Sequence, residues 1–101
     1  MKVVFSYYAR KEIEDALAYY ELQNPGLGEQ FKDEVKRGIS RIVVFPRGWP
    51  IERSEIRKCL LVRFPFKLLY SIERDHIFII AVAHLHREPN YWVERDSEWI
   101  K

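Results

Sequence analysis

The chain is short of several things, and each shortage removes a class of protein. It has one cysteine, Cys59, which cannot close an internal disulfide. That fits a reducing compartment, so a cytoplasmic location is expected. Four glycines and five prolines, scattered along the chain, exclude collagen-like and low-complexity segments. The net charge is +2, from 17 basic and 15 acidic residues, too little to announce nucleic-acid binding by bulk electrostatics. The longest strictly apolar run, 77–83, is far below the roughly 20 residues that cross a bilayer, so no membrane partner is expected. Met1 to Ser6 lacks the apolar stretch and small-residue cleavage site of a secretory signal. What is present is 101 residues, 48% hydrophobic and 15% aromatic. This is too apolar for a disordered chain and the right length for a single domain over 1–101.

Lys2 to Tyr8 is short, β-branched and aromatic, and reads as a strand. From Arg10 to Asn24, Ile13, Ala16, Leu17 and Tyr20 fall on one helical face. Asn24-Pro25-Gly26 ends that helix, because proline disfavours helix at the residue before it. A second helix spans about Gly28 to Phe45, with Phe31, Val35, Ile39 and Ile42 on one side, and Pro46, Gly48 and Pro50 stop it. The two helices are expected to form an antiparallel hairpin. Ile56–Val62, Phe66–Ile72 and His76–His84 read as an antiparallel meander, cornered at Phe64-Pro65 and turned at Arg74-Asp75. The expected fold is α+β: an antiparallel-rich four-stranded sheet, in the order β-α-α-β-β-β, with the helical hairpin on one face.

Ile77 to Ala83 is apolar at every position, so both faces of that strand call for burial. Helices from one contiguous segment cover one face. Phe78, Ile80 and Val82 on the other need a cover, either the aromatic tail (Tyr91, Trp92, Trp99) or a partner chain. Four cations and no carboxylate lie between Ile56 and Ile72: Arg57, Lys58, Arg63 and Lys67.

The element order, the Asn-Pro turn between the helices, and the segments Phe64-Pro65-Phe66-Lys67-Leu68-Leu69-Tyr70-Ser71-Ile72 and Ala81-Val82-Ala83-His84-Leu85-His86-Arg87-Glu88-Pro89-Asn90-Tyr91-Trp92 resemble the RelE/ParE superfamily of bacterial toxins. The resemblance runs over nearly the whole chain. It implies the toxin of a type II toxin–antitoxin pair, inhibiting growth and neutralised by a cognate antitoxin, with operator DNA reached only through that antitoxin. Antitoxins of this superfamily wrap a helix and an extended segment around the toxin, which would cover Phe78, Ile80, Val82 and Trp92. RelE-like members cut mRNA on the ribosome, whereas ParE-like members poison DNA gyrase. The Pro89-Asn90-Tyr91-Trp92 pattern resembles the ParE-like side.

Metal-free RNA cleavage needs a base for the 2′-hydroxyl, cations for the developing phosphorane charge and an acid for the leaving oxygen. By resemblance to RelE-like enzymes, Lys67, Arg87 and Tyr91 occupy those positions, with His84 beside them and Arg57, Arg63 and His86 as target or phosphate contacts. The Lys/Arg cluster is thinner than such a nuclease carries, and His84 and His86 take part of its place. Two alternatives to a gyrase-directed toxin therefore stay open: a metal-independent endoribonuclease, and a degenerate member that only binds its partner and represses the operon. His84 and His86, two apart, would share a face on a strand, but no Cys or carboxylate is placed by sequence to complete a zinc site. No metal and no cofactor are expected. Cys59 reads as a buried small hydrophobe and Trp49 as a cap on the core edge.

Overall fold

The computed structural model describes residues 1–96. The order is β1 (Lys2–Phe5), α1 (Tyr7–Gln23), α2 (Leu27–Val44), β2 (Ile51–Arg53), β3 (Ile56–Leu60), β4 (Phe66–Ile72), β5 (His76–His84) and a short 3₁₀ turn, Val93–Asp96. One sheet of five strands runs β1-β5-β4-β3-β2. β1 pairs parallel with β5, and the other pairings are antiparallel, so the meander is as expected. The sheet has five strands rather than the four expected. The extra one, β2, is three residues long, follows Pro50 and has no apolar alternation to announce it.

Two boundaries differ for reasons visible in the local chemistry. β1 stops at Phe5 because Ser6 caps α1: its Oγ accepts from the Ala9 N–H at 2.9 Å and donates to the Ile80 carbonyl at 3.0 Å. α1 therefore takes in Tyr7 and Tyr8. β3 ends at Leu60, since the Val62 N–H leaves the ladder to donate to Glu34 at 2.6 Å. Between the helices, Gly26 holds φ +90°, a left-handed conformation that suits glycine. Gly26 has no side chain to cap α2, and Glu21 does it instead, accepting from the Gly26 and Gly28 N–H groups at 3.0 Å.

The sheet is covered on both faces. On one, Phe31, Val35 and Ile42 of α2 and Ala9 and Ala16 of α1 pack on Cys59, Leu68, Tyr70, Ile77, Ile79 and Val82. On the other, Trp92, flanked by Tyr91 and Val93, closes over Ile56, Leu69, Phe78, Ile80, Ala81 and Ala83. The tail therefore does the covering: Trp92 is 2% exposed and Ile80 fully buried. Trp99 lies outside the described residues. Strict alternation was expected to put Phe78, Ile80 and Val82 on one face, and the structure corrects this. The β4–β5 register shifts between Leu69 and Tyr70, pairing Leu69 with Ala81 but Tyr70 with Ile79. This bulge at Ile80 sends Val82 to the helix side.

Candidate functional site

α1 leaves the sheet at Ser6 while β5 runs on to His84, and the gap between them is a groove of about 590 Å³. Ala16, Tyr19 and Tyr20 of α1 form one wall, Pro65, Phe66 and Val82 the floor, and His84, Arg87 and Tyr91 one end. A smaller cleft of about 140 Å³ lies on the other side of that end, bordered by Lys67, His84, Arg87, Tyr91 and Glu52. The four residues expected to do chemistry, Lys67, His84, Arg87 and Tyr91, thus meet at one end of the sheet. Arg57 and Arg63 do not. Arg57 donates to the carbonyls of Trp49 (2.6 Å) and Arg47 (3.2 Å), and Arg63 donates to Gln30 Oε1 at 3.4 Å.

Each of the four has its own partner. Lys67 Nζ is 2.9 Å from Glu52 Oε2, and Lys58 Nζ approaches the same carboxylate at 3.5 Å. Burial pushes the Glu52 carboxyl up, but the Lys67 and Lys58 ammonium groups outweigh it and hold it below the usual carboxylate range. The Tyr91 hydroxyl donates to Glu12 Oε2 at 2.6 Å. Burial, and then the Glu12 carboxylate, push that phenol well above its ordinary value. Arg87 lays its guanidinium over the Tyr91 ring, 3.8 Å from the centroid. His84 Nδ1 accepts from the His86 N–H at 3.0 Å, so the neutral ring carries its proton on Nε2. Its edge meets Phe66, and the His86 ring lies 5.2 Å away.

Glu12 is the residue that the sequence reading missed. Its carboxylate accepts from the Val82 N–H (2.9 Å), from Tyr91 and from both terminal nitrogens of Arg95 (3.0 Å each), tying α1, β5 and the tail together. The only signal in the sequence is a carboxylate beside Ile13 at the border of the apolar face of α1. Glu52 gave no signal, because it sits on the unforeseen β2. Among the described residues no group of three His, Cys, Asp or Glu side chains is placed to hold a metal ion.

The family model for the ParE toxin of the type II toxin–antitoxin system parDE matches residues 3–89, from β1 through the turn that carries Arg87. The chain belongs to the ParE toxin family. The fold agrees: a solved structure described as the chromosomal ParDE toxin–antitoxin system from P. aeruginosa superposes with a TM-score of 0.75. The match covers 85% of this chain and 97% of that one at 16% identity. No curated protein sequence matches. The ParE assignment makes this chain the toxin of a type II toxin–antitoxin system. Among the described residues no helix is long and apolar enough to cross a membrane.

Proposed function

We propose that this ParE toxin acts in the cytoplasm on DNA gyrase and is not a ribonuclease. The observation that supports this is the neutralisation of the would-be catalytic groups. Lys67, the cation on β4, is paired with Glu52, and Tyr91 holds its proton against Glu12. A general base has to release or take a proton near the working pH. A phenol held up by burial and a neighbouring carboxylate does not, and a paired ammonium offers less charge to a phosphorane. His84, His86 and Arg87 remain, and of these Arg87 is the one Lys or Arg left for the phosphorane charge, its guanidinium already stacked on the Tyr91 ring.

The antitoxin, on this reading, lies along the groove beside α1, where Tyr19 and Tyr20 offer apolar walls and Arg87, next to His84, a cationic end. Val82 contributes to that floor. Phe78, Ile80 and Trp92, buried against one another, reach an antitoxin only if the tail lifts. Sequence-specific reading of the operator belongs to the antitoxin.

The test is a pair of assays on one preparation. Purified toxin added to gyrase and supercoiled plasmid should accumulate cleaved DNA, and transcripts from cells expressing the chain should stay intact. The convergence of Lys67, His84, Arg87 and Tyr91 on one cleft favours the endoribonuclease as second reading. Cuts at codon positions by primer extension, abolished by Lys67→Ala, would establish it and remove the first.

A further inference from the structure

The chain is close to neutral, but its charge is not evenly spread. Between Lys36 and Arg63 there are eight Lys or Arg and two carboxylates, Glu52 and Glu55, a net +6 in a chain of +2. The remainder carries −4. In the fold this segment is the second half of α2, the 45–50 loop and the β2–β3 hairpin, at the opposite edge of the sheet from β1. β2 is the last strand in the order, so among the described residues no neighbouring strand closes this edge.

Some of these charges are spent internally. Glu34 takes up Arg37 and Arg41, and Glu52 takes up Lys58 together with Lys67. Arg47, Arg53 and Arg57 are not: among the described residues no carboxylate forms an ion pair with any of them. Arg47 and Arg53 are exposed, and Arg57 is half-buried and bound only to the carbonyls of Arg47 and Trp49. That bonding fixes the guanidinium at the corner and anchors the loop bearing Arg47, while leaving its full charge in place. The register sets Arg57 opposite Ile51 and Tyr70, on the helix side, and Arg53 opposite Ile56, on the tail side. The arginines thus straddle this open corner of the sheet from its two faces, with Arg47 held beside Arg57 by the loop.

We infer that the corner formed by Arg47, Arg53 and Arg57 binds the phosphate backbone of duplex DNA without reading its sequence. Arginine forks suit phosphate oxygens, and a duplex presents a dense line of them. A single strand is the poorer fit: Phe45 is the one freely exposed ring here, and the Trp49 indole is half-buried with its N–H turned to the Arg41 carbonyl, whereas single-strand sites stack successive bases on several rings. This DNA contact is separate from operator reading by the antitoxin and from the choice of gyrase as target. It is measured without either.

The test is fluorescence anisotropy of a labelled duplex DNA titrated with the full chain at 50 to 200 mM salt. Three phosphate contacts give a log–log salt slope of about −2.7, and so a fall in affinity of about 40-fold over that range. Arg47→Gln with Arg53→Gln, both at exposed positions, should cut the slope to about −0.9, leaving a fall of only about 3- to 4-fold. Arg10→Gln with Lys11→Gln, an equal change of charge on exposed α1, should leave the slope as it was. Absence of salt-dependent duplex binding at 50 mM would overturn the inference. So would an equal loss in Arg10→Gln with Lys11→Gln, or tighter binding of single-stranded RNA or of polyglutamate than of the duplex.

Discussion

Removing Glu12 is the sharpest perturbation the fold offers, because one carboxylate serves three donor residues, Val82 on β5 and Tyr91 and Arg95 in the tail. In Glu12→Ala the Arg95 guanidinium, only 14% exposed, loses its bidentate partner, and the Val82 N–H and Tyr91 hydroxyl lose their acceptor. Breaking a buried ion pair from one side costs about 3–5 kcal/mol, and the residual exposure of this pair sets it near the low end, about 3 kcal/mol. The stranded Val82 N–H adds about 1 kcal/mol. A total of about 3–4 kcal/mol corresponds, in a domain of this size, to a fall in melting temperature of at least about 12 °C. Chemical denaturation of the full chain measures the loss, and a double-mutant cycle with Arg95→Ala isolates the pair. The double variant should cost less than the sum of the singles by about 1–3 kcal/mol, since either single already breaks the Glu12–Arg95 pair. A loss under about 1 kcal/mol in Glu12→Ala, or a coupling under about 0.5 kcal/mol, would refute the idea that Glu12 holds the tail down.

Other outcomes follow from the same geometry. Trp92→Ala should destabilise the chain by about 3–5 kcal/mol and expose Ile80 and Leu69 to an apolar dye, because Trp92 caps their face of the sheet. Gly28→Ala should cost more than Gly38→Ala in denaturant titrations: an added Cβ at 28 would lie 2.8 Å from the Leu17 carbonyl oxygen, which is backbone, but at 38 the nearest atoms are the ends of side chains, those of Leu68, Leu61 and Arg41. Stability should fall above about pH 10, the unfolded value of tyrosine, since burial lifts Tyr70 to about 12 and lifts Tyr91 as well, so the folded state keeps protons that the unfolded state releases. Tyr91→Phe should flatten that alkaline slope in pH-dependent unfolding. At the acid end the sign reverses. Glu34 is pushed up by burial but held lower overall by Val62 N–H, Arg41 and Arg37, so its contribution is present above its unfolded pKa and lost as pH drops through the folded one. Glu34→Gln should weaken the acid dependence.

Legibility in the sequence tracked the length and periodicity of each element. The two helices and the β3–β5 meander carry strong period-3.6 or β-rich patterns, and they appear within a few residues of where the pattern puts them. β2 was illegible because three residues after a proline carry no period. The bulge at Ile80 was illegible because an unbroken apolar run looks the same in either register, so Val82 changed face without any mark in the sequence. At the site, the basic and aromatic residues could be named from resemblance, but their charge state could not. That depends on Glu12, which reaches Tyr91 from 79 residues away on α1, and on Glu52, which reaches Lys67 from 15 residues away on β2. Glu34, lodged between Phe31 and Val35 on the buried side of α2, is the one internal carboxylate whose setting was there to be read.

The pairing of β1 with β5 also bears on how a growing chain becomes harmful. The first strand synthesised finds its neighbour only when the last has been made: Ser6 and Ile80, which bond to each other, are 74 positions apart. At cellular elongation rates of about 5–20 residues per second, that wait is about 4–15 s. For that interval neither the bed of the α1 groove nor the seat of the tail exists. The nascent polypeptide stays unarmed until β5 has been made, and an antitoxin already in the cell has that time to arrive first.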